Sequence, residues 1–214
     1  MVGDSTQILI PGECEVRQTL DVIVTICDSV DYAHQRGVLH RDLKPSNVLV
    51  TLYDGHPVAK VIDFGLAKAL QTQMRLTDRT LFTEFGRVVG TLEYMSPEQA
   101  EMNALDVDTR TDVYSLGVML YELLTGSTPL GRDRIRSEAF VRVLELIRET
   151  DAPRPSTRLS ESGDAITGIS EQRQIDPHKL RLILKRELDW IAMKALEKDR
   201  SRRYAGAGAL GDDV

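Results

Sequence analysis

Two short stretches carry side chains suited to chemistry: His40-Arg41-Asp42-Leu43-Lys44-Pro45-Ser46-Asn47 and Asp63-Phe64-Gly65. Asp42 is a carboxylate able to orient a hydroxyl and accept its proton. Asn47 and Asp63 offer the hard oxygen atoms that suit octahedral Mg²⁺. Lys44, two residues past Asp42, is a compact point charge that can reach a phosphate. A proton acceptor, two metal ligands and a cation on adjacent turns are what phosphoryl transfer requires. In that reaction the protein mainly positions the nucleophile and neutralises charge on the phosphates. Phe64 suits an apolar support beneath Asp63, and Gly65 permits the backbone turn that follows.

These positions work together only if the chain brings 42, 47 and 63 close. Val48-Leu49-Val50-Thr51 and Ala59-Lys60-Val61-Ile62 are β-prone runs separated by the turn signal Asp54-Gly55. Such a hairpin returns Asp63 to the side of Asn47 across sixteen residues of sequence. Val38-Leu39 reads as a short strand entering the loop. Before it, Leu20, Ile23, Val24, Cys27 and Val30 fall at helical spacing, which predicts a helix from about Val16 that stops at Gly37. His34 lies in its last turn and reads as a helix-end residue, with no metal partners nearby in sequence. Residues 1–16, with Gly3, Pro11 and Gly12, form a lead-in without period.

Beyond Asp63, the run from Thr109 to Gly126 is apolar nearly all round, which predicts a helix buried on most sides, with Tyr114 and Tyr121 in the core. Phe140, Val143, Leu144 and Ile147 predict an amphipathic surface helix over 137–150. Arg132, Arg134 and Arg136 read as a solvated face, with an acidic partner as the alternative. Pro153-Arg154-Pro155-Ser156 opens a polar run, about 151–178, that reads as an insertion or a docking element. Leu188, Ile191, Ala192 and Ala195 resume a helix with Trp190 packed beside it, and the residues at Gly211-Asp212-Asp213-Val214 fall within a further one.

With 214 residues and 42% hydrophobic side chains, the chain can bury one sizeable core or two small ones. A net charge of −6 argues against a broad nucleic-acid surface. Cys14 and Cys27, if mostly helix joins them, stand roughly 20 Å apart, too far for a disulfide. Two free thiols, no signal peptide and no apolar run long enough to span a bilayer predict a soluble cytoplasmic segment without membrane contact.

The eight-residue stretch, the hairpin and Asp-Phe-Gly together resemble the catalytic core of eukaryotic-like serine/threonine protein kinases, in particular their bacterial branch. The resemblance runs from about residue 17 to the C-terminus. It implies a mainly α fold, the kinase large lobe, with a helical bundle and short β-hairpins around the catalytic loop. It also implies ATP and Mg²⁺ as cofactors and a protein serine or threonine as acceptor, since tyrosine-directed members usually lack the lysine at 44. Asp42 is then the catalytic base, Lys44 the phosphate contact, and Asn47 and Asp63 the metal ligands. His40 and Gly65 are structural.

Thr91, in Gly90-Thr91-Leu92-Glu93-Tyr94-Met95-Ser96-Pro97-Glu98, matches the family threonine that bonds the catalytic aspartate and lysine. Ser96 stands where the family usually has alanine, with little consequence expected. Asp112 matches the aspartate that holds the catalytic-loop backbone, and Glu98 with Arg203 a buried ion pair. Residues 63–98 form the activation segment, where Thr72, Thr77, Thr80 and Thr83 lie among Lys68, Arg75, Arg79 and Arg87. Arg41 is the cation that receives a phosphate in kinases switched this way. The same composition fits a solvated polar loop without a switch.

The kinase small lobe supplies a glycine-rich loop, a strand lysine and a helix glutamate. No G-x-G-x-x-G precedes residue 17, and no lysine precedes Lys44. The resemblance therefore implies an upstream small lobe missing from these residues, and either a partial kinase domain or an inactive lobe that acts as a binding or regulatory module. A small-molecule kinase of related fold fits less well with Lys44, Thr91 and the Ser-Pro-Glu triplet.

Overall fold

The first helix, α1 (Val16–His34), forms where Thr19, Val22, Ile23, Ile26, Cys27 and Val30 recur every three or four residues, and all six are buried. It ends in a Schellman motif. Gly37 adopts φ +73°, its N–H donates to His34 O at 2.9 Å, and Val38 N–H donates to Ala33 O at 3.0 Å. The computed structural model describes residues 16–54, 56–64, 92–101, 107–161 and 176–214. Val38-Leu39 does not form the expected strand. Its neighbouring amides are claimed elsewhere, Val38 by the end of α1 and His40 by the Asp112 carboxylate.

A single 3₁₀ turn, Pro45–Asn47, leads into β1 (Val48–Tyr53), which pairs antiparallel with β2 (His56–Val61). The register sets Val48 opposite Val61 and Tyr53 opposite His56, so the hairpin extends nearly to its tip, where Asp54 takes φ +49°. After α2 (Pro97–Ala100), one turn long, comes α3 (Thr109–Thr125). Asp108 caps α3 by accepting from Arg110 N–H at 2.8 Å, and left-handed Gly126 closes it. Residues from Thr111 to Glu122 are all buried, as the apolar run predicts.

The helix expected over 137–150 is α5 (Phe140–Glu149), and a short helix, α4 (Arg132–Ser137), precedes it. The polar run after Pro153 is not all loop, for it contains α6 (Pro155–Glu161), with Leu159 buried. Asp189 anchors α6, accepting Ser156 N–H at 2.9 Å and the Ser156 hydroxyl at 2.5 Å. The final helical stretch starts well before Leu188. Asp176 accepts from the amides of His178 and Lys179 ahead of α7 (Pro177–Ile183), which continues through a π-helical turn (Leu184–Leu188) into α8 (Asp189–Ala195). Trp190 is 55% exposed rather than packed away, edge-on to Tyr204 with the Lys194 ammonium over its ring. The last helix is α9 (Ala207–Asp213).

The main core joins α1, α3, α8 and α9 and takes in Leu43, Val48 and Ala59 from the catalytic loop and hairpin. Gly117 lets α3 approach α8 closely, since a Cβ there would stand 2.7 Å from Ala195 Cβ. α9 rests on α1, with Gly208 N–H donating to Asp31 Oδ1 at 3.1 Å. A smaller cluster of Leu92, Ala100, Ile135, Val143 and Ile147 ties α2 to α4 and α5. Cys27 is a free, buried thiol whose pKa burial pushes up to about 12, so it is unreactive at neutral pH. Cys14 lies outside the described residues. Among those described, no helix is long and apolar enough to cross a membrane.

Candidate active site

Asp42 sits in a backbone held from several sides. Its Oδ2 accepts from Lys44 Nζ at 2.7 Å, with Lys44 18% and Asp42 29% exposed at the side chain. Asn47 Nδ2 donates to Asp42 O at 2.8 Å and lies 3.4 Å from Asp42 Oδ2. Because Asn47 donates through its nitrogen, its amide is oriented and its oxygen is left for another partner. Pro45 starts the 3₁₀ turn that carries Asn47, where the missing proline N–H costs nothing.

Arg41 takes φ +68° and Asp63 φ +64°. Left-handed backbone at a residue with a Cβ costs about 1–3 kcal/mol and persists only when its surroundings enforce it. At Arg41 the enforcing group is Asp112, fully buried at the start of α3. Asp112 Oδ1 accepts Arg41 N–H at 2.7 Å, and Oδ2 accepts both His40 N–H at 2.8 Å and His34 Nε2 at 2.7 Å. The end of α1, the start of α3 and the catalytic loop thus meet on one carboxylate.

His40, fully buried, joins the loop to the hairpin. Its Nδ1 faces Asp42 N–H at 3.3 Å and must accept, which leaves the proton on Nε2 to donate to Ile62 O at 2.9 Å. Ile62 N–H in turn donates to Asn47 O at 2.9 Å, and the Phe64 ring lies 4.8 Å from the His40 ring. Asp63, the next residue after Ile62, is exposed. Among the described residues no cluster of three or more histidine, cysteine or acidic side chains could hold a metal alone. Asn47 and Asp63 could each offer one oxygen to Mg²⁺, an ion that completes its octahedron with water and phosphate.

On the far side of Asp42, Ser96 forms a capping box with Gln99: Gln99 N–H donates to Ser96 Oγ, and Ser96 N–H donates to Gln99 Oε1. Ser96 is therefore more than a small residue in place of alanine. Glu98 and Arg203 make a bidentate pair with both N–O distances 2.8 Å, and Thr111 Oγ1 adds a third bond at 2.8 Å. Burial pushes the Glu98 carboxyl up, but the Arg203 hydrogen bonds and charge outweigh it and hold the group below its ordinary value. Tyr114 lies under this pair, with the Arg203 guanidinium 5.0 Å from its ring centre.

Arg132 is no solvated face. It bonds Glu93 at 3.1 Å and Glu122 at 2.5 Å, and Tyr94 OH donates to the other oxygen of Glu122. Burial raises Glu93 to about 7, against the opposing charge of Arg132 and with the aid of Glu122. His34, Gln99 and Arg132 belong to this region although none stood out in the sequence as part of it. Gly65, Thr91, Thr72, Thr77, Thr80 and Thr83, and the cations Lys68, Arg75, Arg79 and Arg87, lie outside the described residues.

A model of the protein kinase domain matches residues 4–212. The chain belongs to the protein kinase domain family. It is 34% identical over 203 residues to the serine/threonine-protein kinase PknB of Mycobacterium leprae, covering 95% of this chain and 26% of that protein. It is 33% identical over 207 residues to the probable serine/threonine-protein kinase PknB of Bifidobacterium longum, covering 97% of this chain and 25% of that protein. The chain thus spans about a quarter of the length of the curated relatives it matches. The PknI kinase domain of Mycobacterium tuberculosis shares the fold, with a TM-score of 0.56 at 22% identity over 95% of this chain and 56% of that one. The family relationship is to eukaryotic-like serine/threonine kinases of bacteria, and the fold is protein-kinase-like.

Proposed function

We propose that these residues form the substrate and metal side of a serine/threonine kinase site, transferring the γ-phosphate of ATP to a protein hydroxyl with Asp42 as base. The observation that carries the reading is the Asp42 carboxylate, with Oδ2 held by Lys44 at 2.7 Å and its main-chain oxygen by Asn47 at 2.8 Å. Oδ2 faces the ammonium, so Oδ1 receives the serine or threonine proton as the hydroxyl oxygen attacks the γ-phosphorus and the bond from phosphorus to the bridging oxygen, which leaves on ADP, breaks. Lys44 offsets charge on the transferred phosphoryl group. Asn47, through its oriented oxygen, and Asp63 would hold Mg²⁺, which when bound neutralises the phosphates. Arg41 and Thr91 belong to the same machinery by family likeness, Arg41 as the cation for an activation-segment phosphate. His40 and Asp112 keep the loop in place, Gly65 belongs with them by family likeness alone, and Glu98 with Arg203 anchors the end of the segment.

Phosphoamino-acid analysis of a general protein substrate tests the acceptor type, using a form that transfers phosphate. Phosphoserine or phosphothreonine that disappears in Asp42→Asn supports the proposal, and mainly phosphotyrosine overturns it. A second reading is an inactive lobe that serves as a binding or regulatory module. Residues 1–214 hold no lysine before Lys44 and no glycine-rich loop before residue 17, and on that reading this polypeptide by itself transfers phosphate no faster than its Asp42→Asn variant. Radiolabelled transfer by residues 1–214 that Asp42→Asn abolishes refutes that statement.

A further inference from the structure

We infer that Gln99 is a positioning residue for Asp42, fastening α2, at the end of the activation segment, to the peptide just ahead of the base. The inference rests on the reading of Asp42 as the base. Gln99 Nε2 donates to Arg41 O at 2.7 Å, across 58 residues of sequence. That carbonyl belongs to the Arg41–Asp42 peptide, whose N–H is the one facing His40 Nδ1. The peptide is therefore gripped at both ends, by Gln99 at its oxygen and His40 at its nitrogen. Asp112 holds the preceding amide, and Asn47 holds the following carbonyl. Arg41 itself is left-handed at φ +68°, a conformation that relaxes unless its flanking peptides are pinned.

The chemistry at position 99 selects glutamine. Its oxygen accepts from Ser96 N–H at 3.0 Å while its nitrogen donates to Arg41 O. The two partners are a main-chain donor and a main-chain acceptor, so the amide has one possible orientation. Glutamate meets the first partner and repels the second. Leucine meets neither. The capping box alone is satisfied by glutamate, the other residue favoured three positions after a serine cap. A pure capping role and a positioning role therefore predict opposite outcomes for Gln99→Glu.

The test compares residues 1–214 carrying Gln99→Glu, Gln99→Leu or Ser96→Ala with the parent, by NMR amide exchange and urea unfolding. Ser96→Ala removes the side-chain cap and keeps the main-chain N–H that orients Gln99. Exchange at the Arg41 and Asp42 amides rises tenfold or more in Gln99→Glu and Gln99→Leu and stays within twofold in Ser96→Ala, while Gln99→Glu unfolds no earlier than Ser96→Ala. Parent-like protection in Gln99→Glu overturns the inference, as does an equal loss in Ser96→Ala. If Gln99→Leu fails to fold, Gln99→Glu decides. In a form joined to a small lobe that transfers phosphate, Gln99→Glu lowers kcat tenfold or more, with KM for ATP and peptide within twofold. An unchanged kcat there also overturns the inference. Transfer that survives Asp42→Asn sinks the assignment of the base, and the exchange data still decide whether Gln99 holds the loop.

Discussion

Removing Glu98 should be among the most damaging single changes in the chain. Arg203 has no exposed side-chain surface, and all five of its N–H groups are used. Nη1 donates to Glu98 and to Arg110 O at 2.9 Å, Nη2 to Glu98 and to Lys198 O at 3.1 Å, and Nε to Glu197 O at 2.7 Å. Glu98→Ala takes away the counter-charge and two of the five acceptors, leaving a buried guanidinium held by three carbonyls. Breaking a buried pair from one side costs about 3–5 kcal/mol. With a urea slope of about 2.5 kcal/mol per molar, the unfolding midpoint falls by about 1–2 M. Arg203→Ala lies at the upper end of that range, because it strands three main-chain carbonyls as well as Glu98. The double variant Glu98→Ala/Arg203→Ala costs less than the sum of the singles, since neither charge remains unpaired. Because the Glu98 pKa is depressed in the folded state, its contribution is present above the unfolded value of about 4.3 and is lost as pH falls through the lower folded value. Urea titrations followed by far-ultraviolet circular dichroism at pH 7 measure all three variants. Midpoint shifts under about 0.4 M for both singles, or strict additivity in the double, refute the reasoning.

Gly117→Ala forces a methyl to 2.7 Å from Ala195 Cβ and should lower stability by about 1–3 kcal/mol, measured by urea unfolding. Glu93 has a folded pKa raised to about 7, so its stabilising proton is retained at low pH and lost as pH rises from about 4.3 towards 7. Glu93→Gln should therefore show a shallower fall in stability over that window than the parent, in unfolding midpoints taken at pH 5, 6, 7 and 8. Asp112→Asn places an amide N–H₂ against a site that receives only donors; it should cost about 1–3 kcal/mol and speed amide exchange at Arg41.

Much of the scaffold is legible in the sequence because its signals are local. The buried spacing of α1, the apolar run of α3 and the β-prone runs of the hairpin each sit within a short window, and Gly37 and Gly126 mark the two helix ends. The apolar side of α6 could not be read in the same way, since Ser156 looks like loop until Asp189 of α8 accepts its two bonds. Arg132 looks solvated for the same reason, its partners Glu93 and Glu122 being 39 and 10 residues away. His34 reads as a helix end because nothing nearby in sequence indicates that its ring meets Asp112, 78 residues on. A polar residue whose partner is distant gives no periodic signal, and such residues make up most of what the sequence leaves open around the site.

The hairpin relates Asn47 to Asp63 through its first rung alone. Val48 pairs with Val61, and Ile62 N–H closes onto Asn47 O. Further rungs, one residue added to each strand, lengthen the ribbon without moving that end. The sixteen-residue interval between Asn47 and Asp63 is therefore an accident of ribbon length, and a pattern search that fixes it overlooks proteins with the same two residues and a longer or shorter hairpin. The distal end, where Tyr53 is 73% exposed, is correspondingly a place to graft an epitope or a fluorophore-binding peptide.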